Sequence, residues 1–312
     1  MVNVKKAAIV GCGFVGSSAA FALMQKALFN EIVLIDYNKA KAEGEAWDIS
    51  HGIAYSHPMD IHAGDYDEIK DAAVIVITAG AAQKPGETRL DLIHKNVAIM
   101  RSIIANIKAV GAEGILLIVA NPVDILTHVA LKESGFPANR VFGSGTVLDT
   151  ARLKYLISRH LDVDAKNVHG VIIGEHGDSE VPVWSITNIS GIPLSQFCEL
   201  RGHYDHQKGM KEIYEEVRDS AYHIIERKGA TYYGVAMAIT HICECIVRDR
   251  HMMLPVSVEL DNIYGLSGLA LSIPSLVGKN GVEKVLELPL SEEEKEQLHQ
   301  SAERLKAIID TL

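Results

Sequence analysis

Short apolar runs alternate with longer amphipathic segments through the first half of the chain. Compact runs rich in Val, Ile and Leu are typical of strands that are buried on both faces of a parallel sheet. Between them, apolar residues recur three or four positions apart, as they do along one face of a helix. This alternation predicts an α/β fold with a doubly wound parallel sheet. The predicted strands are 7–10, 32–35, 74–78, 115–119 and 140–142, and the predicted helices are 17–26, 39–49, 95–110 and 124–134.

After about residue 144 the pattern becomes mixed, which predicts a second domain of α+β type. Its clearest element is a C-terminal helix, where Ser291 and Glu294 form a capping-box pattern and the apolar residues share one face. The predicted domains are 1–144 and 145–312, closely packed because no low-complexity linker separates them. The other predicted elements are helices at 146–160 and 207–228 and strands at 168–173, 255–259 and 272–277.

Composition narrows the possible partners. With 312 residues, 48% of them hydrophobic, the chain can bury a sizeable core. The net charge is −10 and no run of Lys or Arg exceeds two, so neither nucleic acid nor an anionic membrane is expected as a partner. The longest apolar run, 72–82, is about half a bilayer span, and no signal peptide is evident. We therefore expect a cytoplasmic protein.

The cysteines predict neither disulfides nor a metal site. Four cysteines are too few for a disulfide framework in a chain of this length. A zinc site made of His241, Cys243, Cys245 and His251 is not expected, because the spacing is tighter than tetrahedral sites normally use.

A glycine pattern follows the first predicted strand. Gly11, Gly13 and Gly16 satisfy the G-x-G-x-x-G spacing, and Asp36 ends the second strand twenty residues beyond Gly16. The glycines admit a tight turn and let a pyrophosphate approach the N-terminus of the next helix. The Asp36 carboxylate suits ribose hydroxyls and repels a 2′-phosphate, which favours NAD over NADP. The pattern indicates a Rossmann-type NAD-binding domain, although Asp36 could instead cap the following helix.

A histidine in a charged, glycine-flanked turn is the main candidate for catalysis. His176 can hold or release a proton near neutral pH, as the reduction of a carbonyl by a nicotinamide requires. Asp149 and Arg152 lie three apart on a predicted helix, so they either form a surface ion pair or divide two roles. In the second case Arg152 binds a substrate carboxylate, and Asp149 fixes the tautomer of His176.

Two loops at the carboxyl edge of the sheet carry further candidates. The segment 78–89 is rich in small residues and predicts a lid with Arg89 near its far hinge, although Arg89 could be a solvated loop residue. Asn121 precedes Pro122 and is therefore pushed into extended geometry. It could aim its amide at a substrate, or simply cap the next helix.

Together these motifs resemble the NAD-dependent L-lactate dehydrogenases of bacterial type, within the lactate/malate dehydrogenase superfamily. The resemblance covers nearly the whole chain, and it rests on the motifs together because any one alone is weak. The matching segments are 11–16, 83–90, 121–126, 149–152, 173–178 and 228–234.

The resemblance implies a role for each matching residue in reversible hydride transfer between NADH and pyruvate, the step that yields L-lactate in fermentation after glycolysis. It makes His176 the proton donor, Asp149 its partner and Arg152 the carboxylate clamp. It also implies that Arg89 polarises the carbonyl, that Asn121 binds the reacting oxygen and that Thr231 lines the substrate pocket. The residues expected near the cofactor are Val15, Lys41, Tyr66, Gly80, Ala81, Val119, Asn121 and Ser144, and a homotetramer is implied.

One position departs from the family pattern. Many bacterial members bind fructose 1,6-bisphosphate between subunits through an arginine and a histidine. His169 matches the histidine, but Lys154 stands where the arginine usually is. Lysine is cationic but cannot grip a phosphate with two parallel donors. Activation by this allosteric effector is therefore an open expectation.

Three other functions compete with lactate oxidation. Gln83 argues against a malate dehydrogenase, because oxaloacetate needs a cation for its second carboxylate. A dehydrogenase of branched 2-hydroxy acids is disfavoured because the loop around Gln83 shows no enlargement. A catalytically silent NAD-binding protein is disfavoured by the intact set of His176, Asp149, Arg89 and Arg152.

Overall fold

The computed structural model describes residues 3–82, 86 and 88–312. Its first half contains a parallel sheet in the order β3-β2-β1-β4-β5-β6. The order reverses between β1 and β4, which is where open α/β sheets form ligand-binding crevices. The doubly wound sheet expected from the sequence is therefore confirmed. Its strands are β1 (Asn3–Val10), β2 (Glu31–Ile35), β3 (Asp60–Ala63), β4 (Ala72–Ile77), β5 (Ile115–Ile118) and β6 (Val141–Gly143).

The helices of this half follow the predicted ones, except that α3 begins earlier. One edge strand, β3, was also not predicted. They are α1 (Phe14–Lys26), α2 (Lys39–His51), α3 (Arg89–Ala109) and α4 (Val123–Ser134). Helix α3 begins six residues before its predicted start, because Thr88 and Asp91 form a capping box there. The edge strand β3 was not predicted, since Ile61 is its one fully buried residue and the apolar run is too short.

The second half extends the same sheet with antiparallel strands. Gly143 of β6 pairs with Ser257 of β12, and the sheet continues through β13 to β8 and β9. A separate small sheet has the order β11-β10-β7. The elements are α5 (Val147–Leu161), β7 (Val168–His169), β8 (Ile172–Gly174), β9 (Glu180–Pro182), β10 (Asn188–Ile189), β11 (Ile192–Pro193), α6 (Leu194–Leu200), α7 (His206–Lys228), α8 (Tyr233–Val247), β12 (Met252–Glu259), β13 (Ala270–Gly278), β14 (Gly281–Val285) and α9 (Glu292–Ile309).

The single strand predicted at 168–173 is wrong. The segment divides into β7, which pairs with β10 in the small sheet, and β8, which pairs with β13 and β9 in the large one. Gly170 lies at the break, where a Cβ atom would approach the Thr187 side chain to 3.1 Å. Helix α8 was not predicted, because it is apolar on most of its surface and lacks the one-sided pattern of a surface helix.

Two apolar cores hold the chain together. The larger lies on the parallel sheet, where β4 and β5 are buried at every position. The smaller lies between α5, α6 and α7. Helix α9 begins with the expected capping box between Ser291 and Glu294. Among the described residues, no helix is both long and apolar enough to cross a membrane.

Candidate active site

A cavity of about 850 Å³ lies at the carboxyl ends of β1, β2 and β4. Helix α1 begins beside it, with Gly13 as its N-cap and no side chain bonded to its first turn. Free backbone N–H groups at a helix N-terminus attract a pyrophosphate. The cavity is lined by seven of the residues expected at a cofactor: Gly11, Gly13, Asp36, Lys41, Tyr66, Gly80 and Ala81.

Asp36 joins the glycine loop to the tip of β2. Its carboxylate accepts hydrogen bonds from the backbone N–H of Cys12 at 2.7 Å and from that of Asn38 at 2.9 Å. Helix α2 is capped by Asn38, whose side chain accepts from the Lys41 N–H. The alternative that Asp36 caps α2 is therefore wrong. Asp36 instead lies in the wall of the cavity.

The three glycines of the loop have different structural roles. Gly11 has a φ of +105°, a conformation that side-chain-bearing residues avoid. At Gly16 a Cβ atom would lie 1.9 Å from the carbonyl oxygen of Gly11, so this glycine lets α1 pack closely on the loop. At Gly13 no protein atom lies within 4 Å of a Cβ position, so the space belongs to the cavity. This arrangement fits an NAD pyrophosphate.

We expect Gly16→Ala to lower mainly the stability of the fold, and Gly13→Ala to weaken mainly the binding of NADH. Gly16→Ala forces backbone apart and should lower the free energy of unfolding by about 3 kcal/mol or more. Gly13→Ala is the matched control, since its φ of −73° suits alanine, and its stability should stay within about 1 kcal/mol of wild type. It should nevertheless weaken NADH binding. Urea unfolding and NADH fluorescence titration measure the two effects; a Gly16→Ala protein as stable as wild type would contradict the packing argument.

The other residues expected near the cofactor lie outside this cavity. Val15 packs on the large core, and Gly16 packs on Gly11. Val119 and Ser144 are buried beyond the ends of β5 and β6. Asn121 is exposed beyond the end of β5.

Asn121 is held by its backbone, and its side chain does not cap α4. Its carbonyl oxygen accepts a hydrogen bond from Asn96 Nδ2 at 2.9 Å, and the bond to Pro122 is cis. The N-cap of α4 is Pro122, so the capping alternative is wrong. Asn96 also accepts from the backbone N–H of Ala81 at 2.8 Å. This buried asparagine therefore connects the two loops that follow β4 and β5 at the carboxyl edge of the sheet. No sequence pattern indicated this role of Asn96.

His176, Asp149 and Arg152 form one chain of contacts. His176 Nδ1 lies 2.5 Å from Asp149 Oδ2, and the other oxygen of Asp149 lies 2.7 Å from an Arg152 nitrogen. The Asp149 and Arg152 side chains are 3% and 16% exposed, so the pair is not at the surface. Burial works against the charge on His176, but the carboxylate of Asp149 outweighs it and raises the pKa of His176 to about 9. The imidazole is therefore held in its protonated form at neutral pH.

Asp124 anchors the backbone of this histidine. Its carboxylate accepts hydrogen bonds from the His176 N–H at 2.8 Å and from the Ser257 hydroxyl at 2.6 Å. Burial raises the pKa of Asp124 to about 6. This role of Asp124 could not be seen in the sequence, because an aspartate in the first turn of a helix is ordinarily explained by the helix dipole.

Arg89 is exposed but paired. Its guanidinium lies 3.7 Å from a Glu175 oxygen and 3.5 Å from an Asp178 oxygen, on the two sides of His176 in sequence. Its side chain is 66% exposed. Arg89 is therefore placed beside the turn that carries His176.

Thr231 lies half-buried in the loop between α7 and α8. The neighbouring Tyr232 ring stacks on Phe14 with 5.2 Å between centroids, and the Lys228 ammonium lies 3.4 Å from the centre of the Tyr232 ring. Phe14 is the first residue of α1, so this stack joins the Thr231 loop to the glycine loop.

Three predicted residues lie away from this cluster or outside the described part of the chain. Gln83 is outside the described residues. Lys154 borders an apolar cavity of about 280 Å³, where burial lowers its pKa. His169 is exposed on β7.

Comparison with known proteins agrees with this geometry. Residues 5–143 match the family model of the lactate/malate dehydrogenase NAD-binding domain, and residues 146–312 match that of the family's alpha/beta C-terminal domain. An L-lactate dehydrogenase of Thermoanaerobacterium saccharolyticum is 53% identical over 98% of this chain and 99% of its own length. L-lactate dehydrogenase 1 of Clostridium acetobutylicum is 49% identical, with 98% of each chain covered.

Solved structures give the same result. The minor L-lactate dehydrogenase of Enterococcus mundtii, in a ligands-bound form, superposes with a TM-score of 0.96 at 44% identity, covering 99% of this chain and 98% of that one. A nucleotide cavity with a glycine loop, in a chain that also holds a largely buried histidine–aspartate pair, is typical of an NAD-dependent oxidoreductase. The chain belongs to the lactate/malate dehydrogenase family. The relatives confirm the Rossmann-type fold, the NAD cofactor and the L-lactate dehydrogenase function expected from the sequence.

Proposed function

We propose that His176 is the acid–base group of an L-lactate dehydrogenase and that Arg152 holds the substrate carboxylate. The observation that carries the proposal is the buried chain of contacts from His176 through Asp149 to Arg152. A 2-oxo acid presents a carboxylate next to a carbonyl, so it needs a fixed cation and a proton donor side by side. This cluster supplies both.

The proton path follows from the hydrogen bonding of the imidazole. Asp149 binds Nδ1, so Nε2 is the nitrogen from which His176 gives its proton to the carbonyl oxygen of pyruvate. NADH, when bound, supplies the hydride to the carbonyl carbon. The neutral imidazole that remains can accept a proton from L-lactate in the reverse direction, with Asp149 fixing the same tautomer.

Arg89, Asn121 and Thr231 complete the proposed substrate site. Glu175 and Asp178 hold the Arg89 guanidinium beside the His176 turn. From there a change of side-chain rotamer would bring the Arg89 guanidinium to the pyruvate carbonyl. The guanidinium would polarise the carbonyl bond there and help to exclude water. Asn121 would donate to the same oxygen, and Thr231 would bound the methyl end of the substrate.

In our proposal, residues 1–144 and residues 145–312 contribute different parts of the active site. Residues 1–144 hold the cofactor through the glycine loop and Asp36, and they contribute Arg89 and Asn121. Residues 145–312 contribute Asp149, Arg152, His176 and Thr231. Val119 and Ser144, beyond the ends of β5 and β6, would border the nicotinamide end of NAD.

Gln83 tests pyruvate against oxaloacetate, the substrate of the malate alternative. A neutral residue at this position provides no cation for a second carboxylate, and an unpaired buried charge costs several kcal/mol. We expect Gln83→Arg to shift the ratio of kcat/KM for oxaloacetate to that for pyruvate by about a hundredfold. Gln83→Glu is the control of opposite charge and should gain on neither substrate. An unchanged ratio in Gln83→Arg would remove Gln83 from the specificity site.

We further propose a homotetramer, as the family resemblance implies. Its support is an exposed apolar surface where α1, α2 and α8 border a groove of about 650 Å³. Phe21, Tyr233 and Met237 are between 46% and 68% exposed there. Light scattering should give four times the mass of the chain, and Met237→Glu should yield smaller species. A monomeric wild type at micromolar concentration would contradict this proposal.

Regulation by fructose 1,6-bisphosphate is proposed through Lys154 and His169 of neighbouring subunits. The support is that Lys154 and His169 lie on elements that contact each other, α5 and β7. An effector that binds the tetramer should lower the KM for pyruvate by linkage, and Lys154→Ala should abolish that change. A wild type whose KM does not change with millimolar effector would show that the site is not used.

A cytoplasmic location is also proposed, because the four cysteines are free and buried, as thiols are kept reduced in the cytosol.

A further inference from the structure

One buried carboxyl group next to the active site has no role in this mechanism. Glu180 begins β9 and pairs with Gly174 at the end of β8, so it closes the base of the hairpin that carries His176. The residue is 4% exposed, and its Oε1 atom has no hydrogen-bonding partner among the described residues. A charged carboxylate in such a place is strongly destabilising, whereas a neutral carboxyl is far less so.

The groups around Glu180 give it no cation of its own. Arg152 is bound to Asp149. Arg218 forms a bidentate ion pair with Asp219, with nitrogen–oxygen distances of 2.9 and 3.1 Å. The like charge that acts most strongly on Glu180 is the carboxylate of Asp149. The titratable and charged groups that face Glu180 are Asp149 and Arg152 from α5, His176 and Asp178 from the hairpin, Tyr214 and Arg218 from α7, and Arg304 and Glu294 from α9.

Burial and then the charge of Asp149 raise the pKa of Glu180 to about 8. The neutral acid is therefore the main form at neutral pH. Protonated His176, Arg152 and Asp149 then carry one net positive charge among the three of them, which attracts the carboxylate of pyruvate. Ionisation of Glu180 would cancel that positive charge before the substrate arrives.

We propose that Glu180 is a positioning residue for the substrate carboxylate, acting as a neutral acid that keeps a second negative charge away from Arg152 and His176. It touches neither substrate nor cofactor, and it acts through the field at Arg152. The inference rests on the proposed function, because it assumes that an anionic 2-oxo acid binds at Arg152. It predicts that substrate binding, rather than the chemical step, changes when Glu180 ionises.

Glu180→Gln tests the proposal, because glutamine keeps the size of the side chain and is neutral at every pH. The KM and kcat for pyruvate would be measured at saturating NADH for wild type, Glu180→Gln and the control Glu216→Gln, which changes an exposed acid on α7. Near about pH 6.5 the KM of all three should agree within about twofold. Near about pH 9 the KM of Glu180→Gln should be about five- to tenfold lower than that of wild type and of the control, with similar kcat.

A KM ratio between Glu180→Gln and wild type that stays constant with pH would overturn the proposal and leave the proposed function intact. A wild type that does not reduce pyruvate would instead remove the proposed function. Infrared difference spectra of the wild type provide a readout that needs neither activity nor a folded variant. They should show a protonated carboxyl that ionises near pH 8, above the one expected near pH 6 from Asp124. Absence of a carboxyl that titrates in this higher range would also overturn the proposal.

Discussion

Replacing His176 with asparagine is expected to lower kcat for pyruvate reduction by about three orders of magnitude and to leave NADH binding unchanged. Asparagine can keep a hydrogen bond to Asp149, but it has no proton to give to the carbonyl oxygen. The histidine lies away from the residues that line the cofactor cavity, so the affinity for NADH should not depend on it. Stopped-flow turnover and fluorescence titration of NADH measure the two quantities separately.

The pH dependence of the wild type should test the same assignment independently. Because Asp149 keeps the pKa of His176 near 9, kcat/KM for pyruvate should stay level at neutral pH and fall as the pH rises through that value. L-lactate oxidation requires the neutral imidazole and should rise over the same range. His176→Asn should lose both limbs. Near-wild-type turnover in this variant, or limbs that survive in it, would contradict the assignment of His176.

Asp149→Asn is expected to give the second largest loss. Without the Asp149 carboxylate, only the weaker effects of Asp124 and Glu180 oppose burial, so the pKa of His176 should fall well below about 9. Arg152 also loses its buried partner, and breaking such a pair costs about 3–5 kcal/mol. We expect kcat/KM for pyruvate at neutral pH to drop by about a thousandfold, with a smaller loss in L-lactate oxidation, which uses the neutral imidazole.

A matched control separates the site from the helix that carries it. Asp162→Asn makes the same substitution at the C-terminal end of α5, where the side chain is 95% exposed. It should leave both directions of the reaction unchanged. Equal losses in the two directions for Asp149→Asn would mean that Asp149 supports the fold and does not set the protonation state of His176.

The parallel sheet could be predicted because its strands are short apolar runs, separated by helices with a local repeat. The second half was harder, since its strands are fixed by partners far along the chain. β7 and β8 read as one strand, but they pair with β10 and β13, which no local pattern reveals. Helix α8 is buried on most of its surface and so lacks the polar face that identifies a helix.

The site shows the same division. His176 and the glycine loop could be identified because their spacing, and their combination with Asp149, Arg89 and Arg152, can be read directly from the sequence. Asp124 and Glu180 could not, because their importance depends on burial and on contacts formed only in the folded chain. The hydrogen bond from the His176 N–H to Asp124 spans 52 positions. Glu180 reads as one more charged residue of a solvated turn, but its carboxyl is buried.

This active site should reduce pyruvate by using NADH, because its charges suit a substrate with one carboxylate. A direct test follows the loss of NADH absorbance by the wild-type protein with pyruvate and, separately, with oxaloacetate. Pyruvate should be reduced at the expense of NADH with stoichiometric formation of L-lactate, at a kcat/KM about a hundredfold or more above that for oxaloacetate. A preference for oxaloacetate, or no consumption of NADH with pyruvate, would contradict this expectation.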